Sequence, residues 1–401
     1  MAADALDAVR RGEKPADVGL AELYARHRNA GARDRAQVAD LVYGVLRNYF
    51  PLCAALGENA SALELCAAHA LRAGATTAET LPRLEGLDGG GIAQRLRACD
   101  VATLDIATRH NLPAWLWRAL EAQYGASEAS ALARALNQPA TVDLRVNTVK
   151  ASREAAQAAL RAENIAAEPT PRSPVGLRLG KREALQRTRA FRDGWVEPQD
   201  EGSQLLALFV EARAGETVVD FCAGAGGKAL ALGAAMRDRG ELHAFDVSRE
   251  RLARMVPRLQ RSGLSIVHAQ ALRNERDTRL NALAQHCDAV LVDAPCSATG
   301  ALRRNPELRL RAPDLAALAA QQLAILEAAA RLVRPGGRLV YATCSVLAEE
   351  NERVVKAFLA AHPAFGAQAE LVLLPHRDGT DGFYAAKLTA SSAPTPTPSG
   401  T

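Results

Sequence analysis

The sequence predicts an α/β protein: a doubly wound, mostly parallel sheet in the C-terminal half, preceded by a small α+β unit and an all-α N-terminal region. Three observations carry this reading. Beyond Val196, short strand-like runs alternate with helix-like ones, the signature of a parallel sheet with crossover helices. Between Thr141 and Trp195 apolar residues alternate with polar ones around a single helical stretch. Before about residue 85 the chain shows helical spacing and no period-two alternation at all.

In chain order, Ala2 to Arg10 and Ala60 to Ala73 read as Ala-rich helices, and the run Gly89, Gly90, Gly91 reads as a linker. Asn111 to Tyr124 returns to a helical pattern. Val142, Leu144 and Val146 form a strand, Arg153 to Arg161 a helix, and Val175 to Leu179 another strand. The large sheet then follows. Thr217 to Val219, Glu241 to Phe245, Ala289 to Val292 and Arg338 to Ala342 are its strands; Leu230 to Arg237, Glu250 to Ser262 and Leu315 to Leu332 are its helices. A further helix is expected over Leu347 to Leu359. The resulting division is residues 1–100 helical, 101–195 a helical linker plus the α+β unit, and 196–390 the doubly wound domain. Ser391 to Thr401, rich in Ser, Pro and Thr, is expected to be disordered.

With 401 residues the chain has room for two or three cores. Its 48% hydrophobic and 23% charged residues are those of an ordinary globular protein. No run of about 18 apolar residues is present and the acidic start lacks a signal-peptide pattern, so a cytoplasmic protein without membrane contact is expected. The net charge of +4 permits a polyanionic partner without requiring one. Seven cysteines occur without a CxxC pair, which argues against the usual zinc spacings, and no metal is expected; the odd number speaks against a disulfide framework.

The first strand of the large sheet ends at Asp220 and runs into Cys222, Ala223, Gly224, Ala225, Gly226, Gly227 and Lys228, followed by an apolar helix. A glycine-rich turn between strand and helix lets backbone amides approach a ligand at the positive end of the helix dipole. A phosphate-cradling loop would need Gly where Cys222 stands and Ser or Thr where Ala229 stands. Asp246, about twenty residues on, supplies a carboxylate suited to ribose hydroxyls. Together these fit a nucleoside cofactor, with S-adenosylmethionine, a dinucleotide and a purely structural turn all open at this point.

Two cysteines close two later strands. One follows Asp293-Ala-Pro as Cys296, the other follows Ala342-Thr as Cys344, and ligands bind open α/β sheets at such carboxyl ends. A lone cysteine is ordinarily an apolar filler; two at equivalent positions point to chemistry. These motifs resemble the RsmB/Nop/Sun family of RNA 5-methylcytosine methyltransferases. The resemblance runs through Val196-Glu-Pro-Gln-Asp-Glu-Gly-Ser-Gln204, Cys222 to Lys228, Asp293-Ala-Pro-Cys296-Ser, Arg334-Pro-Gly-Gly337, Ala342-Thr-Cys344-Ser, Glu350-Asn351 and Asp381-Gly-Phe-Tyr384. Upstream, Asp143-Leu-Arg-Val-Asn147 is similar to the strand that opens the family's RRM-like subdomain. Asp34-Arg-Ala with Tyr43-Gly-Val-Leu-Arg47 resembles the NusB-like domain of the bacterial branch.

The resemblance implies a Rossmann-like class I methyltransferase sheet, S-adenosyl-L-methionine as cofactor and RNA as substrate, 16S ribosomal RNA or transfer RNA, acted on by a monomer. It makes Cys344 the nucleophile toward carbon 6 of cytosine, Cys296 the product-releasing thiol, and Asp293 the group facing the base and the cofactor's methyl end. The loop from Cys222 to Lys228 and Asp246 would hold the cofactor, with Gln270 standing where the family has an Asp toward adenine. Lys228 could orient Asp293, and Arg303, Arg304, Arg309 and Arg311 could hold phosphates. Cys222 would act through its backbone, and Cys53, Cys66, Cys99 and Cys287 are expected to be structural. Trp115 and Trp117 could stack on bases or pack a helix. Two rival readings are a DNA cytosine methyltransferase with Cys296 as nucleophile and a non-catalytic RNA-binding assembly factor.

Overall fold

The computed structural model describes residues 1–81 and 87–392. The disordered tail expected from Ser391 thus falls, from residue 393, outside the described residues. The chain divides into two units, Met1–Pro139 with Ala301–Ala312, and Ala140–Gly300 with Pro313–Thr401.

Every element described in the first unit is helical, from Ala2–Arg10 to Ala114–Leu136. The Ala62–Arg72 helix starts in a reciprocal cap: Ser61 Oγ accepts from the Glu64 amide, and the Glu64 carboxylate accepts from the Ser61 amide. Leu6, Val45, Leu46, Leu52, Leu65 and Ile92 form the buried core between these helices. The glycine run expected as a linker is instead the first turn of the helix Gly89–Ala98, capped by Asp88. Packing explains it: a Cβ on Gly89 would lie 2.6 Å from the Ala78 carbonyl oxygen.

The division into units differs from the expected one at two places. The helices up to Leu136 group with the first unit, and Ala301–Ala312 groups with it as well, although the sequence places that segment inside the 196–390 domain. Arg309 is the reason this segment stays. It is buried, donating from Nε to the Pro306 carbonyl (2.8 Å) and from Nη1 to the Asn111 carbonyl (2.9 Å) and to Asn137 Oδ1 (2.6 Å). Glu307, also buried, accepts from the Ala16 amide. Arg309 and the equally buried Arg303 are therefore structural, while Arg304 and Arg311 are exposed. Trp117 is buried and stacked on His110, which removes it as a base platform.

The second unit holds two sheets. The small one has strands β1 (Val142–Val146), β2 (Ala167–Pro169), β3 (Gly176–Leu179) and β4 (Val196–Pro198) in the order β2-β3-β1-β4, all neighbours antiparallel, with the helix Arg153–Ala162. Its polar anchor is the half-buried Arg178, bridging the buried carboxylates of Asp143 (2.7 Å) and Glu201 (3.2 Å). The large sheet contains β5 (Thr217–Asp220), β6 (Glu241–Asp246), β7 (Val267–Ala271), β8 (Cys287–Asp293), β9 (Val333–Thr343), β10 (Phe365–Leu373) and β11 (Phe383–Ala390). Their order is β10-β11-β9-β8-β5-β6-β7, with β7 to β9 parallel and β11 antiparallel to β9.

Alternate residues of the central strands enter opposite cores: Val219, Val290 and Val292 one, Val218, Ala289 and Leu291 the other. Burial on both faces is what turns these strands into continuous apolar runs. The winding reverses between β5 and β8, which opens a crevice at the carboxyl ends of the strands. The helix expected from Leu347 begins only at Glu352, after a loop that carries Glu350 and Asn351.

The inserted segment gives a testable expectation. Arg309→Ala strips two buried acceptors of their donor and leaves a void, so it should destabilise the first unit by about 3 kcal/mol. Arg304→Ala, at an exposed position, should stay within about 0.5 kcal/mol. Chemical denaturation of both variants beside the parent checks the difference.

Candidate active site

At the carboxyl edge of the parallel strands lies a cavity of about 370 Å³. Phe221, Cys222, Asp246, Arg251, Asp293, Cys296 and Cys344 line it, together with Leu272, Asn274, Glu275 and Gln321. The strand ends β5, β6, β8 and β9 thus deliver to one space the residues that the sequence singles out on four separate segments.

Asp246 is 4% exposed, and its position is fixed from two sides. Gly224 donates its amide to Oδ2 at 2.8 Å, and Ser248 donates to Oδ1 at 2.7 Å. The Gly224 approach requires a left-handed turn: Gly224 has φ +54° and Gly226 φ +84°, and a Cβ on Gly224 would collide with the Arg251 guanidinium at 2.4 Å. Arg251 also lies 3.4 Å from Asp246 Oδ2. One loop support was missed in the sequence. Arg258 donates to the Ala225 carbonyl (2.6 Å) and pairs with Glu197 of β4 (3.0 Å). Arg251 and Arg258 stand seven apart, two turns along the helix Arg249–Ser262, so helical spacing alone could have marked this loop-facing stripe.

Lys228, at the start of the helix Gly227–Ala235, donates to Asp293 Oδ2 at 2.6 Å and lies over the Phe383 ring. Burial by itself would lower the Lys228 ammonium, but the charge and hydrogen bond of Asp293 outweigh it and hold the pKa above the ordinary value. Cys344 adds to the same field on Lys228.

Cys296 Sγ and Cys344 Sγ are 3.4 Å apart. The strand ends that carry them are joined by a hydrogen bond from the Ala294 amide to the Ala342 carbonyl, and the Gly300 amide donates to the Cys344 carbonyl. Gly300 in turn touches Gly382, where a Cβ would lie 2.3 Å from the Gly382 oxygen, so both positions need glycine. The hydrogen bond with Cys344, followed by burial, pushes the Cys296 thiol well above its ordinary range. Burial does the same to Cys222, and it raises Cys66 and Cys287 to about 12. Those three are inert thiols.

Gln270 is not in the cavity. Strand register pairs Asp246 with Ala271 and Phe245 with Gln270, so Gln270 shares a sheet face with Phe245 and its side chain is exposed. The residues past that strand end that border the cavity are Leu272, Asn274 and Glu275.

The family model described as 16S rRNA methyltransferase RsmB/F matches residues 207–389, and that of the RsmF/B-like ferredoxin-like domain matches residues 112–186. The chain is 35% identical over 322 residues to ribosomal RNA small subunit methyltransferase B of Citrobacter koseri, covering 77% of this chain and 74% of that one. The chain belongs to the RsmB/F methyltransferase family. It is also 34% identical over 300 residues to the probable ribosomal RNA small subunit methyltransferase B of Bacillus subtilis, covering 70% of this chain and 66% of the relative. Among solved structures, that of PH0851 superposes with a TM-score of 0.79 at 26% identity, covering 96% of this chain and 97% of the other.

The cofactor of such an enzyme is S-adenosylmethionine, and the residues present fit it. Asp246 keeps lone pairs free beyond its two backbone amides, as a ribose ligand must. Asp220, 1% exposed at the end of β5, has no well-placed hydrogen-bond partner for either carboxylate oxygen among the described residues. An orphaned buried acid is costly unless a donor arrives from a ligand, and the donor's amino group is such a group.

Burial, with the charge of Asp293 added, raises Asp220 to about 7. A native pKa above the unfolded value means that the folded state binds the proton more tightly. The associated stability is complete below the ordinary carboxylate range and is lost as pH rises through about 7. Asp220→Asn should therefore remove the fall in ligand-free thermal stability between pH 6 and pH 8.5, and a variant that falls as steeply as the parent would rule out Asp220 as its source.

Proposed function

We propose that this chain methylates carbon 5 of a cytosine in RNA, with 16S ribosomal RNA as the substrate, and that Cys344 is the nucleophile. The observation that carries this reading is the pair of thiols 3.4 Å apart on a cavity that also meets Asp246 and Asp293. The small-subunit specificity rests on the relatives, which are ribosomal RNA small subunit methyltransferases.

Carbon 5 of cytosine is too weak a nucleophile to take up a methyl group unaided. Addition of the Cys344 thiolate to carbon 6 forms a C–S bond and moves the ring's π electrons toward carbon 5 and the N3 side. Asp293, ion-paired to Lys228, accepts a hydrogen bond from the base's amino group and fixes the ring, while the ammonium behind it offsets charge gained by the adduct. When bound, S-adenosylmethionine supplies the electrophilic methyl group that carbon 5 takes up. Release then requires loss of the carbon 5 proton. Its bonding electrons re-form the 5,6 double bond, the C–S bond breaks, and Cys344 leaves as thiolate. A water ordered by the Cys296 thiol accepts that proton and passes it to solvent. Asp246 holds the ribose and Asp220 the amino end of the cofactor. Exposed Arg304 and Arg311 hold RNA phosphates, a role from which the burial of Arg303 and Arg309 removes them.

Two measurements test the assignment. Cys344→Ala should neither methylate RNA nor form an adduct, whereas Cys296→Ala should stall with RNA covalently attached to Cys344, visible as a slower band under denaturing electrophoresis. An adduct that survives Cys344→Ala and vanishes in Cys296→Ala would reverse the roles and favour the arrangement with Cys296 as nucleophile. Separately, Asp246→Ala should weaken cofactor binding by about 1.5–3 kcal/mol in calorimetry, the value of hydrogen bonds to a charged acceptor.

A further inference from the structure

Behind the two thiols lies a fully buried carboxylate that the reaction as described does not use. Glu350 has no exposed surface and sits in the loop between β9 and the helix Glu352–Ala361. Its Oε1 accepts from the Ser297 amide (2.8 Å) and from Gln322 Nε2 (3.0 Å), and its Oε2 accepts from Ser297 Oγ (2.5 Å). Gln322 shares its amide with the Pro295 carbonyl (2.9 Å), so the residues on both sides of Cys296 are bound to one carboxylate centre. The Tyr341 hydroxyl donates to the Glu350 carbonyl and holds the loop against β9.

Such a burial needs a purpose, because a carboxylate taken out of water is costly unless donors surround it. Three donors meet this one, and two of them come from the residue that follows Cys296. The turn they grip is also one the chain would not adopt freely: Ala298, one residue further, has φ +56°, the left-handed region that a Cβ disfavours. The Ser297 hydroxyl also makes longer contacts with Thr299 Oγ1 and Ser345 Oγ, both at 3.3 Å, but the carboxylate is the group that accepts from the Ser297 amide. The same charge also bears on the thiol, adding to the hydrogen bond with Cys344 and to burial, which raise Cys296 toward the protonated state. The titratable groups bearing on this site include Cys344, Glu350 and Tyr341.

We infer that Glu350 is a positioning residue: it clamps the Ser297 turn so that Cys296 stays beside Cys344 as a thiol while Cys344 carries the reaction. This rests on the assignment of the two thiols made above. Release of the product, rather than binding of RNA, is the step that the clamp serves.

The test is Glu350→Gln in the full chain, which keeps the shape and removes the charge and one acceptor. Cys296 alkylation by iodoacetamide, followed by mass spectrometry across pH 6–10, should shift to lower pH, with a rate at pH 8 about three to ten times that of the parent. With RNA and cofactor, kcat should fall about tenfold or more while KM for RNA stays within about twofold, and the Cys344 adduct should accumulate. Unchanged alkylation with unchanged kcat would overturn the proposal. Should Glu350→Gln fail to fold, Ser297→Ala keeps the amide bond to Glu350, removes the hydroxyl's bond to Glu350 and its longer contacts to Thr299 and Ser345, and should show the same adduct to a lesser extent; a parent-like release rate there would count against the clamp. Cys296→Ala run alongside separates the two ideas. If it accumulates no adduct, the thiol assignment fails, and the alkylation profile of Glu350→Gln still decides the clamp.

Discussion

Two sulfur atoms 3.4 Å apart cannot both be thiolates. At that distance, and with an effective dielectric constant of 20, two negative charges repel by about 5 kcal/mol, more than twice the roughly 2 kcal/mol that separates a thiol's ordinary pKa from neutrality. One proton must therefore be shared between them or kept on one of them, and the surroundings choose which. The hydrogen bond with Cys344, then burial and the charge of Glu350, weigh on Cys296 and favour its protonated form. Under the proposed assignment, the division of labour between nucleophile and releasing group follows from this asymmetry, which adjacent parallel strands impose by ending at the same edge of the sheet.

The same edge explains why several carboxylates are buried or half-buried nearby without weakening the fold. Asp246, Asp293 and Glu350 each have donors already in place from backbone amides, Lys228 or Gln322. Asp220 is the exception: burial, with the charge of Asp293 added, shifts it toward about 7. A site with one acid left open and the others satisfied is preorganised for a ligand that brings the missing donor.

The chain passes between its two units three times, at Pro139, at Gly300 and at Ala312. Short interruptions of this kind are invisible to composition, because Ala301–Ala312 reads locally like any basic loop. What keeps it in the helical unit is the pairing of Arg309 with Asn111 and Asn137, residues far away in the sequence. Neither unit is therefore a single stretch of chain, and a truncation that removes the N-terminal helices also strips this segment of its partners.

By itself the sequence determined the elements and the chemistry at their ends. Period-two and 3.6-residue patterns, the glycine turn after Asp220 and the two cysteines closing β8 and β9 are local signals, written in residues a few positions apart. Tertiary structure decided everything that depends on which distant group arrives. It turned Gly89–Gly91 from a linker into a packed helix start, directed Gln270 away from the cavity by one step of strand register, buried Arg303 and Arg309, began the last helix at Glu352 instead of Leu347, and surrounded Glu350 with donors. Spacing along a chain fixes a side chain's direction, but the free energy of a charge is set by the atoms around it, and those come from elsewhere in the fold.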